Sequence, residues 1–297
     1  MKNKQRKRII TLIILLAILL SSIFLLPNFL YHQNNDLELS TYSVSSTKLP
    51  AAFKGYKIVF LSDLHINESS LYDSVVEKCR GLKPDIIIIS GDIVESSTSE
   101  LDYYENSVAT FAKKISTVAP VYWVTGNYEA SLSPTNFATL VTKLNSCGFH
   151  YLNNSTVSIK RDGQKINLCG INDPLFGIEN IFKYPVDDVT TIKSYLSQAL
   201  PQNYKENYTI LVSHRTEYCN LLSDSNVELI LTGHAHGGQI RLPLVGALFA
   251  PGQGISPKYT SGQFAINSSQ LIINRGIGAS RFKQRLFNQP EIILIQF

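Results

Sequence analysis

The sequence predicts an α/β protein with a layered β-sheet, preceded by one apolar helix at the N-terminus. Strand-like and helix-like segments alternate along most of the 297 residues, which is typical of α/β folds. The run Ile86-Ile87-Ile88-Ile89 is uniformly apolar, as expected for a strand buried on both faces. A hydrophobic share of 44% supports a sizeable core. We therefore expect a sheet with further layers above and below it.

Residues 9–30 are expected to form a transmembrane anchor. The run 9–26 is almost entirely apolar, and no charged residue occurs between Arg8 and Asp36. A bilayer core of about 30 Å needs roughly 17 to 25 such residues in a helix. A cleaved signal peptide is the alternative, but its apolar core usually has only about 7 to 15 residues. The anchor is therefore favoured.

The charge distribution predicts how the chain sits in the membrane. Five of the 27 Lys and Arg residues lie in segment 1–8, which leaves 22 against 23 Asp and Glu in the remainder. A basic tail of this kind stays in the cytoplasm. With residues 31–35 as a linker, we expect residues 36–297 to form one extracytoplasmic domain at the cell membrane. The balanced charge of that domain does not support a nucleic-acid surface.

The strand and helix segments follow from composition and spacing. Strands are recognised by β-branched and aromatic residues, and helices by apolar residues three and four positions apart, with Gly81 and Pro84 ending the first of them in the domain. Strands are expected at 36–46, 56–61, 86–89, 118–124, 151–159, 166–171, 207–213, 228–232, 271–274 and 291–296, and helices at 71–82, 101–115, 137–147 and 184–199.

Polar side chains with metal-ligating atoms follow successive strands at the point where each strand ends. Asp63 and His65 follow the second strand, Asp92 the third and Asn127 the fourth. In open α/β sheets, ligands bind in the crevice beyond the carboxyl ends of the strands. We therefore expect these four side chains to face one crevice.

Three histidines add to this set from later strands. His214 follows strand 207–213, and His234 and His236 follow strand 228–232 within a glycine-rich stretch. Seven oxygen and nitrogen donors without a thiolate exceed the needs of one ion and suit manganese, iron or zinc, with manganese favoured. Two such ions about 3.5 to 4 Å apart can share a carboxylate and activate a hydroxide that attacks phosphorus.

The four cysteines form no C-x-x-C pair, so neither a zinc ribbon nor a thioredoxin-like motif is present. They are Cys79, Cys147, Cys169 and Cys219. We expect most of them to be buried free thiols.

The ordered motifs resemble those of the calcineurin-like metallophosphoesterase superfamily. They are Asp63-x-His65, Gly91-Asp92, Gly126-Asn127, His214 and Gly233-His234-x-His236. The anchor, the Gly-Gly-Gln-Ile-Arg-Leu-Pro stretch at 237–243 and the tail around Arg275-Gly276-Ile277-Gly278 and Pro290-Glu291 are similar to the membrane-anchored bacterial branch. The resemblance covers roughly residues 36–297.

The resemblance implies a fold, a ligand set and a reaction. The fold is a four-layer α/β/β/α sandwich with two facing mixed sheets. One divalent metal ion would bind Asp63, His65 and His236, the other would bind Asn127, His214 and His234, and Asp92 would bridge them. The implied activity is hydrolysis of a phosphate ester by a metal-bridging hydroxide, and we expect a phosphodiester or pyrophosphate as the substrate. The anchor alone suggests that this substrate could be lipid-linked. Oligomeric state stays open.

One position departs from the family pattern. Tyr128 stands where the family has a histidine that protonates the leaving group, oriented by the acidic residue that follows, here Glu129. A tyrosine hydroxyl has a pKa near 10 and is a weaker acid than imidazolium. We expect an active enzyme that favours substrates with good leaving groups, and we count Tyr128 and Glu129 with Asp92 and Asn127 as catalytic candidates.

Two other functions remain compatible with the sequence. A metal-binding scaffold that has lost turnover would explain the tyrosine, and a phosphomonoesterase would differ only in the shape of its pocket. Arg215, Arg241 and Arg275 are further candidates for contact with a phosphate group, since a guanidinium can bind two of its oxygens.

Overall fold

The computed structural model describes residues 2–66, 70–95, 101–176, 187–279 and 282–297. Among these residues the helices are α1 (Lys2–Asn35), α2 (Leu71–Leu82), α3 (Leu101–Ser116), α4 (Asn127–Ala130), α5 (Pro134–Ser146), α6 (Asp188–Ala199) and α7 (Cys219–Ser223). Short 3₁₀ turns connect several of the elements.

The strands fall into two large sheets and two small hairpins. They are β1 (Glu38–Ser43), β2 (Lys57–Leu61), β3 (Ile86–Ile89), β4 (Val121–Trp123), β5 (Phe149–Tyr151), β6 (Ser155–Arg161), β7 (Gln164–Gly170), β8 (Thr209–Arg215), β9 (Leu229–Gly233), β10 (Arg241–Leu242), β11 (Gly246–Ala247), β12 (Phe249–Ala250), β13 (Gly254–Ile255), β14 (Gly262–Ile266), β15 (Ser269–Ile273) and β16 (Glu291–Gln296).

Both large sheets are mixed, with parallel strands at their centres. The first has the order β1-β16-β2-β3-β4-β5, in which only β16 and β2 pair antiparallel. The second has the order β14-β15-β9-β8-β7-β6, with antiparallel pairs at its two ends. Strands β2, β3 and β4 therefore end at one edge of the first sheet, and β8 and β9 end together in the second.

Apolar residues pack these elements into four layers. Along β3, Ile87 and Ile89 belong to a buried cluster with helices α2, α3 and α5, whereas Ile86 and Ile88 belong to the cluster between the two sheets. A third cluster packs the outer face of the second sheet against α6 and α7. The layer order is helices, sheet, sheet, helices, and it confirms the predicted α/β/β/α fold.

Most predicted elements are present, with differences at their ends. The predicted helix 184–199 is observed from Asp188, where Asp187 accepts a hydrogen bond from the Thr190 N–H; residues 184–186 lie outside the described residues. The hairpins β10–β11 and β12–β13 were not predicted, because strands of two residues carry no periodic signal.

Helix α1 is long and apolar enough to cross a membrane, by length and composition. It continues through residues 31–35, which the sequence assigned to a linker. Its end is bonded to the domain: Asn34 Nδ2 donates to the Lys283 carbonyl at 3.0 Å, and the Arg285 N–H donates to Asn34 Oδ1 at 2.8 Å. The apolar helix therefore leads into the domain through specific hydrogen bonds.

Candidate metal centre

The predicted ligands converge where strands of the two facing sheets end. Asp63 and His65 follow β2, Asp92 follows β3, and Asn127 follows β4 and begins α4. From the second sheet, His214 lies at the end of β8, and His234 and His236 follow β9. The structure thus brings all seven predicted ligands to one place between the sheets.

Asp63, His65 and His236 form the first cluster of metal-binding atoms. The Nε2 atoms of His65 and His236 are 3.3 Å apart, and His236 Nε2 is 3.3 Å from Asp63 Oδ1. Bonds of about 2.1 Å to a common ion place neighbouring ligand atoms about 3 to 3.5 Å apart. The three side chains therefore have the spacing of ligands to one ion.

Asp92, His214 and His234 form the second cluster. Three atoms surround His214 Nε2: His234 Nδ1 at 3.1 Å, Asn127 Oδ1 at 3.2 Å and Asp92 Oδ2 at 3.3 Å. One proton on this nitrogen cannot satisfy three such neighbours, whereas a cation among them can. The donor set fits a divalent metal.

Asp92 lies between the two clusters. Its Oδ2 atom is 3.7 Å from His65 Nε2 and 3.3 Å from His214 Nε2. Its other oxygen accepts a hydrogen bond of 2.9 Å from the Tyr128 N–H. The carboxylate is therefore fixed where it can contact an ion in either cluster.

The backbone at this centre is strained. Asp63, His65, Asp92, His234 and His236 all have positive φ, between 43° and 66°. Residues other than glycine adopt this left-handed region at a cost of roughly 1 to 3 kcal/mol each, and they cluster at functional sites. The strand ends turn sharply here, which aims the ligand side chains inward.

Two glycines allow the loops to approach each other closely. A Cβ atom at Gly126 would lie 2.2 Å from Asp92 Oδ1, and one at Gly233 would lie 2.4 Å from Asp63 Oδ2. Both distances are far inside van der Waals contact. The glycines in the Gly-Asn and Gly-His motifs are therefore needed for packing against the two aspartates.

Polar groups outside the candidate ligand set face both histidines of the second cluster. His214 Nδ1 lies 2.7 Å from the Ser90 carbonyl, so it carries a proton and leaves Nε2 for a metal. His234 Nε2 lies 3.6 Å from Glu217 Oε1, on the side of the ring opposite His214. Glu217 was not among the predicted site residues, although it lies only three residues after His214.

Asp92 and His214 stabilise each other's charged forms. Burial alone would raise the pKa of Asp92, but His214 and His65 lower it well below its usual range. Burial lowers the pKa of His214, but Asp92 and Asp63 outweigh it and raise that pKa to about 10. Burial and the nearby His214 lower the pKa of His234 well below its usual range. The neutral His234 ring can coordinate a metal.

Glu129 is a positioning residue. It is fully buried, and its carboxylate accepts hydrogen bonds of 2.7 to 3.0 Å from the N–H groups of Asp92, Ile93, Val94 and Gly126. Burial, together with the charge of Asp92, raises its pKa to about 7. It joins the loop after β3 to the loop after β4, whereas the sequence suggested that it orients the side chain at position 128.

Tyr128 lies beside the first cluster and lines a cleft. Its ring packs edge-on against His65, with ring centroids 4.6 Å apart. The cleft has a volume of about 610 Å³, with Asp92, Asn127, Tyr128, His234 and His236 on one side. Its other side is largely apolar and was not predicted: Ile240, Leu248, Phe249, Pro251 and Phe282.

The three arginines considered for phosphate binding have protein partners. Arg215 forms a two-point contact with Asp173, at 2.7 and 3.2 Å. Arg275 pairs with Glu38 and Glu291, and Arg241 donates to the Gly237 carbonyl and two hydroxyl groups. The described cleft lining includes none of them.

Arg285, which the sequence did not single out, is buried behind the first cluster. Its guanidinium donates to the carbonyls of Arg275, Gly276, Gly278 and Asn288. The N–H of Gly278 in turn donates to the Asp63 carbonyl at 2.8 Å. Burial lowers the pKa of Arg285 to about 10. This side chain supports the loop that covers Asp63.

The carboxylate of Glu129 yields the first prediction. Glu129→Gln replaces one acceptor oxygen by an NH₂ group that faces backbone N–H donors, so buried donors lose their partner. We expect the free energy of unfolding to fall by about 1 to 3 kcal/mol, measured by urea unfolding of the full chain in detergent. The matched control is Glu77→Gln, whose side chain is 69% exposed. Equal losses in the two variants would contradict the positioning role.

Comparison with known proteins agrees with this geometry. The model of the calcineurin-like phosphoesterase family matches residues 56–238, more than half of the chain. The chain is 29% identical over 271 residues to the uncharacterized metallophosphoesterase YkuE of Bacillus subtilis, covering 88% of this chain and 86% of that protein. It is 26% identical over 244 residues to the phosphodiesterase YaeI of Escherichia coli, covering 81% of this chain and 82% of that protein.

A solved structure supports the fold. A dimetal phosphatase from Danio rerio superposes with a TM-score of 0.50 at 12% sequence identity, covering 82% of this chain and 99% of that one. The match of the family model spans β2 to the turn after β9, and so contains every residue of the two clusters. The chain belongs to the calcineurin-like phosphoesterase family.

Proposed function

We propose that this protein is a membrane-anchored phosphodiesterase that works with two divalent metal ions. Asp63, His65 and His236 would hold one ion, Asn127, His214 and His234 would hold the other, and Asp92 could contact both. The observation that carries the proposal is the position of Asp92 Oδ2, within 3.7 Å of His65 Nε2 and 3.3 Å of His214 Nε2. Ions held there would lower the pKa of a water nucleophile and neutralise charge on the phosphate.

The protein groups around the ions have distinct tasks. Asp92 and Asn127 line the cleft and can contact the bound ester. The Ser90 carbonyl and Glu217 fix the rings of His214 and His234, as partners outside the ligand set commonly do. Manganese remains the favoured ion, and iron or zinc would suit the same donors.

The cleft lining favours a diester among the phosphate esters. Its described residues contribute no lysine or arginine, which suits the single negative charge of a diester better than the higher charge of a monoester or pyrophosphate. The Escherichia coli relative is named a phosphodiesterase. The apolar side of the cleft can receive an organic group attached to the phosphorus.

The anchor and its flanking charges support a location outside the cytoplasm. Basic residues precede the apolar part of α1, and Asp36 and Glu38 follow it. Such a helix crosses the membrane once with its N-terminus in the cytoplasm. The catalytic domain then lies at the outer face of the cell membrane.

The reaction class is tested with a panel of phosphate compounds. We expect the full chain in detergent with Mn²⁺ to hydrolyse bis(p-nitrophenyl) phosphate faster than p-nitrophenyl phosphate or inorganic pyrophosphate. Asp92→Asn weakens both ion sites, so its rate should fall at least about 100-fold. Bound metal without turnover of any compound would contradict the proposal and indicate a scaffold. Preference for the monoester would indicate a phosphomonoesterase.

Tyr128 is expected to set the preference for leaving groups. Tyr128→His supplies a stronger acid beside the cleft, so hydrolysis of an alkyl diester should rise by about 100-fold or more relative to an aryl diester. The control is Tyr128→Phe, which keeps the ring that packs on His65 but lacks the hydroxyl. The ratio of alkyl to aryl rates measures the effect. An equal ratio in the wild type and in Tyr128→His would contradict it.

A further inference from the structure

Apolar side chains are concentrated on an exposed surface beside the cleft. They lie on hairpin β10–β11, hairpin β12–β13 and the loop 282–287, which together we call the docking surface. Leu244, in the turn of hairpin β10–β11, and Ile255, the last residue of β13, are almost fully exposed. Six more side chains are at least 39% exposed: Leu242, Val245, Leu248, Phe249, Phe282 and Phe287. Apolar patches of this kind mark sites that bind a protein, a ligand or a membrane.

The three parts of the docking surface are hydrogen-bonded to one another. The Arg241 N–H donates to the Leu286 carbonyl at 2.9 Å, and Gln239 Nε2 donates to the Phe282 carbonyl at 2.6 Å. Leu248 joins the two hairpins, because its N–H donates to the Ile240 carbonyl at 3.2 Å and its carbonyl accepts from the Ser256 N–H at 3.0 Å. The surface is therefore one connected platform.

The end of the anchor helix contacts this platform. The ring of Phe29 lies 5.7 Å from that of Phe287, and Gln284 Nε2 donates to the Leu30 carbonyl at 3.0 Å. Phe29 and Leu30 are the last residues of the expected span 9–30. Loop 282–287 therefore meets the anchor at the level where it leaves the bilayer, where aromatic side chains are enriched.

The charge of this region complements an anionic lipid surface. No Asp or Glu occurs between Glu228 and Glu291, and the exposed Lys258 and Lys283 lie in that segment. Basic residues near a membrane are attracted by anionic headgroups, each by about 1 kcal/mol. Residues 36–228 carry 22 of the 23 Asp and Glu residues, and Glu291 is the other.

The docking surface and the cleft share a wall. Leu248, Phe249 and Phe282 are exposed on the surface and also line the cleft that contains Asp92 and His236. An amphipathic molecule could therefore place its apolar part along this wall while its phosphate reaches the metal centre.

We propose that the docking surface inserts into the leaflet from which the anchor emerges and holds the cleft against the membrane. The substrate class is then a phosphodiester with a hydrocarbon tail, drawn from the bilayer. The substrate half of this inference rests on the proposed phosphodiesterase function, whereas the contact with lipid does not.

Lipid contact is tested on the full chain in vesicles of phosphatidylcholine and phosphatidylglycerol. In a Cys147→Ser background, an environment-sensitive fluorophore is attached at Leu244→Cys or Ile255→Cys, and brominated lipids serve as the quencher. Val189→Cys on α6 is the control, since Val189 is an apolar residue of the domain with 45% exposure. We expect quenching by at least about half at 244 and 255 and almost none at 189.

Labels at 244 and 255 that are no more quenched than the label at 189 would overturn the proposal. The absence of quenching would contradict lipid insertion both if the surface faces water and if a second copy of the chain covers it. Hydrolysis plays no part in the measurement, so its outcome is independent of the proposed activity.

The substrate half is tested with two diesters that have the same reacting group. Dodecyl p-nitrophenyl phosphate is held in the vesicles, and methyl p-nitrophenyl phosphate is dissolved in the surrounding water. The variant Leu244→Ser/Val245→Ser/Ile255→Ser changes hairpin residues outside the cleft lining, and Val189→Ser is its control. Relative to the wild type, we expect the triple variant to hydrolyse the dodecyl ester about tenfold more slowly and its rate on the methyl ester to change less than about twofold.

Equal effects on the two esters, or no effect on either, would overturn the substrate half. If the wild type hydrolyses neither ester, that result would count against the phosphodiesterase function. The quenching experiment would still decide whether the surface contacts lipid.

Discussion

The burial of two aspartates beside four histidines is the constraint on which the rest of the structure depends. Asp63 and Asp92 are almost completely shielded from solvent, and a buried carboxylate needs a positive partner. For Asp92, His214 is that partner, and the two aspartates raise the pKa of His214 to about 10. A divalent ion would replace the proton on His214 Nε2 and satisfy the three atoms around that nitrogen at once. The buried aspartates and histidines are thus arranged so that a divalent ion would supply the positive charge that the carboxylates need.

Loops of strained conformation must be held in place to keep this arrangement. Five ligands have positive φ, and the surrounding protein compensates with hydrogen bonds from both sheets. Glu129 ties the loop of Asp92 to that of Asn127, and Arg285 supports the loop over Asp63. Substitution of such residues disturbs the centre without touching an ion. Strain of this kind persists only where the fold determines the conformation from several sides.

A layered α/β fold and the candidate ligands could be predicted from the sequence because both leave local signals, whereas the four-layer order and the division of the ligands between two ions were implied by the family resemblance. The isoleucine run of β3 and the polar residues that follow each strand are readable from neighbouring positions. The role of Glu129 and the partners of Arg215 depend on residues distant in the chain or on loop conformation, which carry no periodic pattern. The apolar side of the cleft is formed by residues in and around hairpins of two-residue strands and by Phe282. These apolar residues can be read from the sequence, but their position beside the cleft cannot be predicted from it.

The apolar wall of the cleft continues into a surface that contacts the end of helix α1. The strand ends next to this cleft are proposed to form a site for two ions. Elemental analysis of the full chain after loading with Mn²⁺ and removal of free metal tests this proposal most directly. We predict two ions per chain in the wild type and at most one in His236→Ala, which removes a ligand of the first cluster only. A wild type with one ion or none, or two ions retained in His236→Ala, would contradict the account.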